Sequence, residues 1–240
     1  MVHTAAVAEI GALVGDPARA NMLAALLDGR ALTAKELAER AGVAPQTTSG
    51  HLSKLVTAGL IEMTRQGRRR YHRLASPEIA QMLESMMNVA GAQIAREGAR
   101  PGRIGPADQA LRAARTCYDH LAGRLAVDLA DAMAAHGQVE LGLEGGVLTE
   151  AGRTFLEAFG VDLESERQSR RAFCRPCLDW SERRPHLAGA VGAALMRRTL
   201  ELSWIRRLEG TRAVMVTPKG QVGFRRTFGI ASGPTPHGRT

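Results

Sequence analysis

Lysine, cysteine and aromatic residues are all scarce in this 240-residue sequence, and each scarcity narrows its reading. Three cysteines, an odd number in a chain of this length, do not make a disulfide framework, and reduced thiols suit a cytosolic setting. With aromatics at 4% and apolar residues at 45%, the composition is that of a folded chain long enough for two modest cores. No run of about 18 apolar residues is present to span a bilayer. The N-terminus lacks the basic start of a secretion signal and carries Glu9 inside its apolar part. A soluble, cytoplasmic protein of two domains with no membrane partner is therefore expected. Catalytic signatures are missing too: no P-loop, no Gly-x-Ser-x-Gly and no His-Glu-x-x-His occurs, so no catalytic residue is assigned.

What is present is arginine. The formal charge is +8, and every basic residue except Lys35, Lys54 and Lys219 is Arg. Net charge favours polyanionic partners, but its placement decides the meaning. Between residues 51 and 75, Lys54, Arg65, Arg68, Arg69, Arg70 and Arg73 stand against Glu62 alone.

That patch follows a run of short helices. Val7, Ile10 and Val14 share one face of the first. Asp16 caps the second, with Pro17 at the position where a missing N–H costs nothing, and Gly29 stops it. Thr33 and Glu36 are spaced as a capping box for the third, which ends in the Ala41-Gly42-Val43 turn. The fourth runs from Pro45 to Ala58. Two short helices joined by a Gly-containing turn make a helix-turn-helix. On its second helix Thr48, Leu52 and Leu55 face inward, while Gln46, Thr47, Ser49, Gly50, Ser53, Lys54 and Thr57 spread over the opposite arc. These are small, polar or cationic, as a surface laid against base edges and phosphates must be; an ordinary solvated face is the plain alternative. Residues 61–65 and 69–74 then read as a hairpin about a Gln66-Gly67 turn. Its three consecutive arginines, 68 to 70, suit phosphate or the minor groove, with Tyr71 packing beneath them or donating to phosphate.

The stretches "DPARANMLAALLDG", "LTAKELAERAGVAPQTTSGHLSKLVTAGLI" and "RQGRRRYHRL", in this order and spacing, resemble the winged-helix regulators of the ArsR family over roughly residues 5–97. The resemblance implies a homodimer that binds a near-palindromic double-stranded DNA operator and represses transcription until an effector releases it. It maps DNA contacts to Gln46, Thr47, Ser49 and Lys54, with Ser53, Arg68, Arg69, Arg70 and Tyr71 beside them; His51, at the edge of the buried face, either contacts DNA or packs. Next, Ile79, Leu83, Met86, Ala90 and Ile94 recur at helical spacing, a stripe that in this family pairs with its symmetry mate, intrachain packing being the alternative. Thiolates in the first helix of the helix-turn-helix and His ligands on the dimer helix, both used by metal-sensing members, are missing here.

Residues 98–107 read as a linker dividing a winged helix-turn-helix over 1–97 from a C-terminal sensory domain over 108–240. The fold class is mainly α with short β-hairpins, the second domain being α-rich with a winged-helix-like form as one option. Asp108 is expected to cap a long helix holding Leu111 to Ala132, which puts Cys117 and His120 three apart on one side. "LTEAGRTFLEAFGV" at 148–161 is echoed by "VTPKGQVGFRRTFGI" at 216–230, each a Thr-capped helix. The metal candidates are Cys117, His120, Cys174 and Cys177, with His186 as a further imidazole, suited to zinc or another thiophilic ion. The Cys-x-x-Cys 174/177 is also readable as packed core, or as an oxidisable pair if Arg171, Arg175, Arg183 and Arg184 approach it. An organic effector lined by Trp180, Trp204 and Tyr118 is a third option. Rival classes are a thiol- or metal-dependent enzyme carrying a DNA-binding head, and a non-specific architectural DNA binder.

Overall fold

A computed structural model of the chain describes residues 4–96, 105–106, 108–142, 145–168 and 171–230. The architecture is mainly α with short antiparallel hairpins, as expected, and the chain folds as two compact units, Met1–Glu84 and Ser85–Thr240. Apart from Gly105 and Pro106, the expected linker lies outside the described residues.

The first unit contains α1 (Thr4–Val14), α2 (Pro17–Leu26), β1 (Leu32–Thr33), α3 (Ala34–Ala41), α4 (Pro45–Thr57), β2 (Ile61–Gln66) and β3 (Arg69–Leu74). The local signals act as read. Asp16 accepts from the Arg19 N–H at 2.9 Å. Thr33 and Glu36 form a reciprocal capping box, and Gly42 closes α3 at φ 67°. Met22, Leu23, Leu26, Leu37, Leu52, Leu55 and Ile61 make a buried core beneath α4. The sheet order is β1-β3-β2, with Gln66 opposite Arg69, so the two-residue turn is Gly67-Arg68, one residue later than expected. Gly67 sits at φ 61°, which a side chain rarely adopts.

The helix α5 (Pro77–Arg96) begins in the first unit and ends in the second. The second unit continues with α6 (Gln109–Ala113), β4 (Arg115–Cys117), β5 (His120–Ala122), α7 (Arg124–Ala135), β6 (Val139–Leu141), β7 (Gly146–Leu148), α8 (Glu150–Ala158), α9 (Leu163–Arg167), β8 (Arg175–Leu178), β9 (Pro185–Ala188), α10 (Gly189–Glu201), β10 (Ile205–Arg207), β11 (Val214–Val216) and α11 (Pro218–Phe228). The single long helix expected after Asp108 is therefore corrected. It stops at Ala113, and a hairpin intervenes before α7. Leu111, Ala114, Leu121 and Leu125 are buried in either arrangement, so apolar spacing could not separate them. Tyr118 at φ 59° and Gly123 at φ 81° break the helix, and a Cβ on Gly123 would stand 2.8 Å from the Arg112 carbonyl.

The sequence echo extends to a tandem repeat of hairpin, helix, hairpin, helix: β4-β5-α7-β6-β7-α8, then β8-β9-α10-β10-β11-α11. Thr149 caps α8 through the Gly152 N–H, and Thr217 caps α11 through the Gly220 N–H. Gly152 and Gly220 press against the carbonyls of Gln138 and Trp204, where a Cβ would come within 2.0 Å of either. Helices are exchanged across the repeats: α7 packs on β9 and α10 on β5.

Candidate nucleic-acid interface and a buried cysteine–histidine cluster

Helix α4 divides as its sequence requires. Thr48, Leu52 and Leu55 are buried, and the Thr48 hydroxyl donates back to the Ala44 carbonyl at 3.0 Å. Gln46, Thr47, Ser49, Gly50, Ser53 and Lys54 are exposed on the other side. His51 is only partly exposed. Its Nδ1 lies 3.4 Å from Arg19 Nη1 and 3.8 Å from the Asp16 carboxylate, while Arg19 also donates to the carbonyls of Ala12 and Leu13. His51 thus sits between α4 and the start of α2, with part of its ring exposed.

In the wing, Arg68, Arg69 and Arg70 are exposed, and Arg73 pairs with Glu62 across the strands. Tyr71 is half-buried opposite Thr64 and Thr33. His72, on the other face of β3, is buried; burial, aided by the Arg70 charge, holds its pKa below the ordinary 6.5 despite a hydrogen bond to the Leu32 backbone.

Along α5 the expected stripe is split. Leu83 is buried and Ile79 half-buried within the chain, whereas Met86, Val89, Ala90 and Ile94 are exposed. In the second unit Asn88 is anchored, accepting from Arg183 Nη1 and donating to the Leu178 carbonyl.

The metal candidates are brought together with one exchange. Cys117, His120, Cys177 and His186 present ligand atoms that all lie within 4.8 Å of one another. Cys174 is outside this group, buried in the apolar core near Phe173, and burial pushes its thiol up to about 11. Cys174 precedes β8, which begins at Arg175, and packs into the apolar core, whereas Cys177 lies within the strand opposite His186. The flanking cations do not activate Cys174 either; Arg171 pairs with Asp119, Arg184 with Asp131 at 2.7 Å, and Arg183 is held by Asn88.

Cys117 lies directly opposite His120 in the β4–β5 register, and Cys177 directly opposite His186 in β8–β9. Residues opposed in this way project to one face, so each hairpin delivers one sulfur and one imidazole. The two Nε2 atoms approach to 3.2 Å. Behind them, His120 Nδ1 is 3.3 Å from Asp119 Oδ1, and His186 Nδ1 is 3.8 Å from Asp179 Oδ2, where it is buried without a hydrogen-bond partner among the described residues. For His120, burial pulls the pKa down, and hydrogen bonds with Asp119 and Cys117 outweigh it, leaving the pKa raised. Asp119 and Asp179 escaped the sequence reading. The signal was there: Cys-x-Asp followed by His-Leu-Ala-Gly occurs at 117–123 and, with an insertion before the His, at 177–189.

The aromatic trio proposed for an organic ligand is dispersed. Trp204 packs against Phe159 and Phe224, Trp180 lies beneath Arg115, and Tyr118 is exposed at the β4–β5 turn.

A helix-turn-helix domain family matches residues 14–64. The chain is 40% identical to the HTH-type transcriptional regulator YdfF of Bacillus subtilis over 227 residues, which is 93% of this chain and 97% of that protein. It is 35% identical over 88 residues to the HTH-type transcriptional regulator CmtR of Mycobacterium tuberculosis, 37% of this chain and 74% of CmtR. Among solved structures, the homodimeric winged helix-turn-helix DNA-binding domain Mb0332 of Mycobacterium bovis, described as a possible ArsR-family transcriptional regulator, matches with a TM-score of 0.34 at 27% identity, covering 40% of this chain and 87% of that one. Among the described residues, no helix is long and apolar enough to cross a membrane.

Proposed function

The chain belongs to the HTH-type transcriptional regulators, and from that premise we propose that it is an operator-specific repressor of the ArsR type, with a C-terminal extension, acting as a homodimer. It binds DNA as a regulator; the finer reading concerns how. The observation that carries it is the two-sided α4, whose exposed Gln46, Thr47, Ser49, Ser53 and Lys54 adjoin a wing tip of three exposed arginines. In this reading α4 lies in the major groove, its polar residues meet base edges, and Arg68, Arg69 and Arg70 hold phosphates. The exposed Met86, Val89, Ala90 and Ile94 of α5 meet the same face of a second copy, setting two recognition helices about one DNA turn apart. An effector acting on the second unit, whether a thiophilic metal, an oxidant or a small organic ligand, releases the operator.

Fluorescence anisotropy on DNA from upstream of the protein's own gene, against a scrambled duplex, tests this. A preference on the order of a thousandfold for the upstream site is expected. Equal affinity for both duplexes would make the protein a non-specific architectural binder instead. Turnover surviving deletion of residues 1–97 would reveal an enzyme with a DNA-binding head.

A further inference from the structure

The Nε2 atoms of His120 and His186 meet at 3.2 Å, and with the sulfurs of Cys117 and Cys177 they form four donors that all lie within 4.8 Å of one another. Two sulfurs and two imidazole nitrogens converging on one buried point are the donor set of a thiophilic cation. We propose that Cys117, His120, Cys177 and His186 bind one divalent, thiophilic cation of the zinc class in a tetrahedral Cys2His2 site, and that this ion is a fixed cross-link between the two repeats of the second unit. The inference does not depend on DNA binding; a protein with no affinity for any operator would still hold the ion.

Geometry, charge and topology agree. Two imidazole nitrogens each ~2.05 Å from one ion at the tetrahedral angle lie about 3.3 Å apart, close to the 3.2 Å observed. Thiolates and imidazoles together select zinc-like ions and disfavour magnesium or calcium, which take oxygen ligands. Two thiolates balance the double positive charge, so the ion adds no net charge to a site where Cys117, His120 and His186 are buried. Asp119 lies 3.3 Å behind His120 Nδ1 and Asp179 3.8 Å behind His186 Nδ1, so each ring has a carboxylate on its far side and Nε2 turned inward, as around metal-bound histidines generally. Those carboxylates are balanced in turn, Asp119 by Arg171 and Asp179 by Arg115. With four protein donors the shell is closed and holds no open position for a substrate, the form of a structural centre rather than a catalytic one. Each repeat supplies one register pair, so the ion would lie at the junction where β5 meets β9.

The test is a titration of full-length, reduced, metal-free protein with Co²⁺ under anaerobic conditions. Saturation at one ion per chain is expected, with the visible bands of tetrahedral cobalt and thiolate-to-cobalt charge transfer, both bleached by equimolar Zn²⁺. Cys174→Ser should titrate like wild type, whereas Cys177→Ser should lose affinity by a hundredfold or more. Asp119→Asn should weaken binding ten- to a hundredfold with the bands kept. Absence of charge-transfer bands in wild type would overturn the assignment, as would a loss in Cys174→Ser equal to that in Cys177→Ser. Wild type and Cys174→Ser keep all four donors, so the decision stands even if a ligand variant fails to fold.

Discussion

Nη2 of Arg115 donates to the Asp179 carboxylate at 2.8 Å, joining two fully buried side chains 64 residues apart in sequence. Asp179 also accepts from the backbone N–H groups of Gly123, Ser181 and Glu182 and from the Ser181 hydroxyl. Burial pushes its pKa up, but the Arg115 charge and these donors outweigh that and hold the carboxyl well below the usual range. The pair locks the first hairpin of one repeat to the loop of the other. Removing one partner of such a pair strands a buried charge, so Arg115→Met should cost about 3–5 kcal/mol. Urea unfolding followed by tryptophan fluorescence reads this directly, because Trp180 and Trp204 both lie in the second unit. A midpoint shift no larger than that of a surface control, Arg226→Met, would refute it.

Replacing Arg68, Arg69 and Arg70 together with alanine should weaken binding to every duplex. The slope of log affinity against log salt should fall by up to about 0.9 for each lost phosphate contact. Anisotropy at several salt concentrations gives the slope, and an unchanged value removes the wing from the interface.

On α4, Gln46→Ala should lower discrimination between operators by about 1–3 kcal/mol while leaving random-sequence binding nearly intact. Gly50 offers a sharper contrast. A Cβ there meets nothing within 4 Å, so Gly50→Ala should raise the stability of the helix by about 0.5–1 kcal/mol. If α4 lies against DNA, the same methyl group should reduce operator affinity. Higher melting temperature with unchanged affinity would place Gly50 away from the groove.

His72 links the wing to pH. Burial is the main cause that keeps its folded-state pKa below 6.5, and the Arg70 charge works in the same direction. As pH falls, the unfolded chain takes the proton first, so stability is present above the ordinary value and is lost through the window beneath it. Thermal melts between pH 8 and 5 should show a steeper loss for wild type than for His72→Leu, whose neighbours across the sheet are Leu32 and Met63. Parallel profiles would exclude His72 as the cause.

The first unit was legible in the sequence because the contacts that define it are short-range. Caps at Asp16 and Thr33, turn glycines at 42 and 67, and helical spacing on α4 each act within a few residues, and the structure keeps them nearly as read. In the second unit the Thr149 and Thr217 caps were equally plain. Local patterning failed between Asp108 and Ala135, where one apolar spacing suits a continuous helix and a helix–hairpin–helix alike. The choice there falls to long-range partners: Arg115 finds Asp179, and Gly123 lets its backbone approach Arg112. Likewise, composition supplied the cysteines and histidines, but spacing suggested Cys174 with Cys177. Tertiary structure instead sent Cys174 into the core and opposed two hairpins. Which side chains converge across sixty residues depends on how strands twist, register and pack, and that information is carried by the whole fold rather than by any short stretch of it.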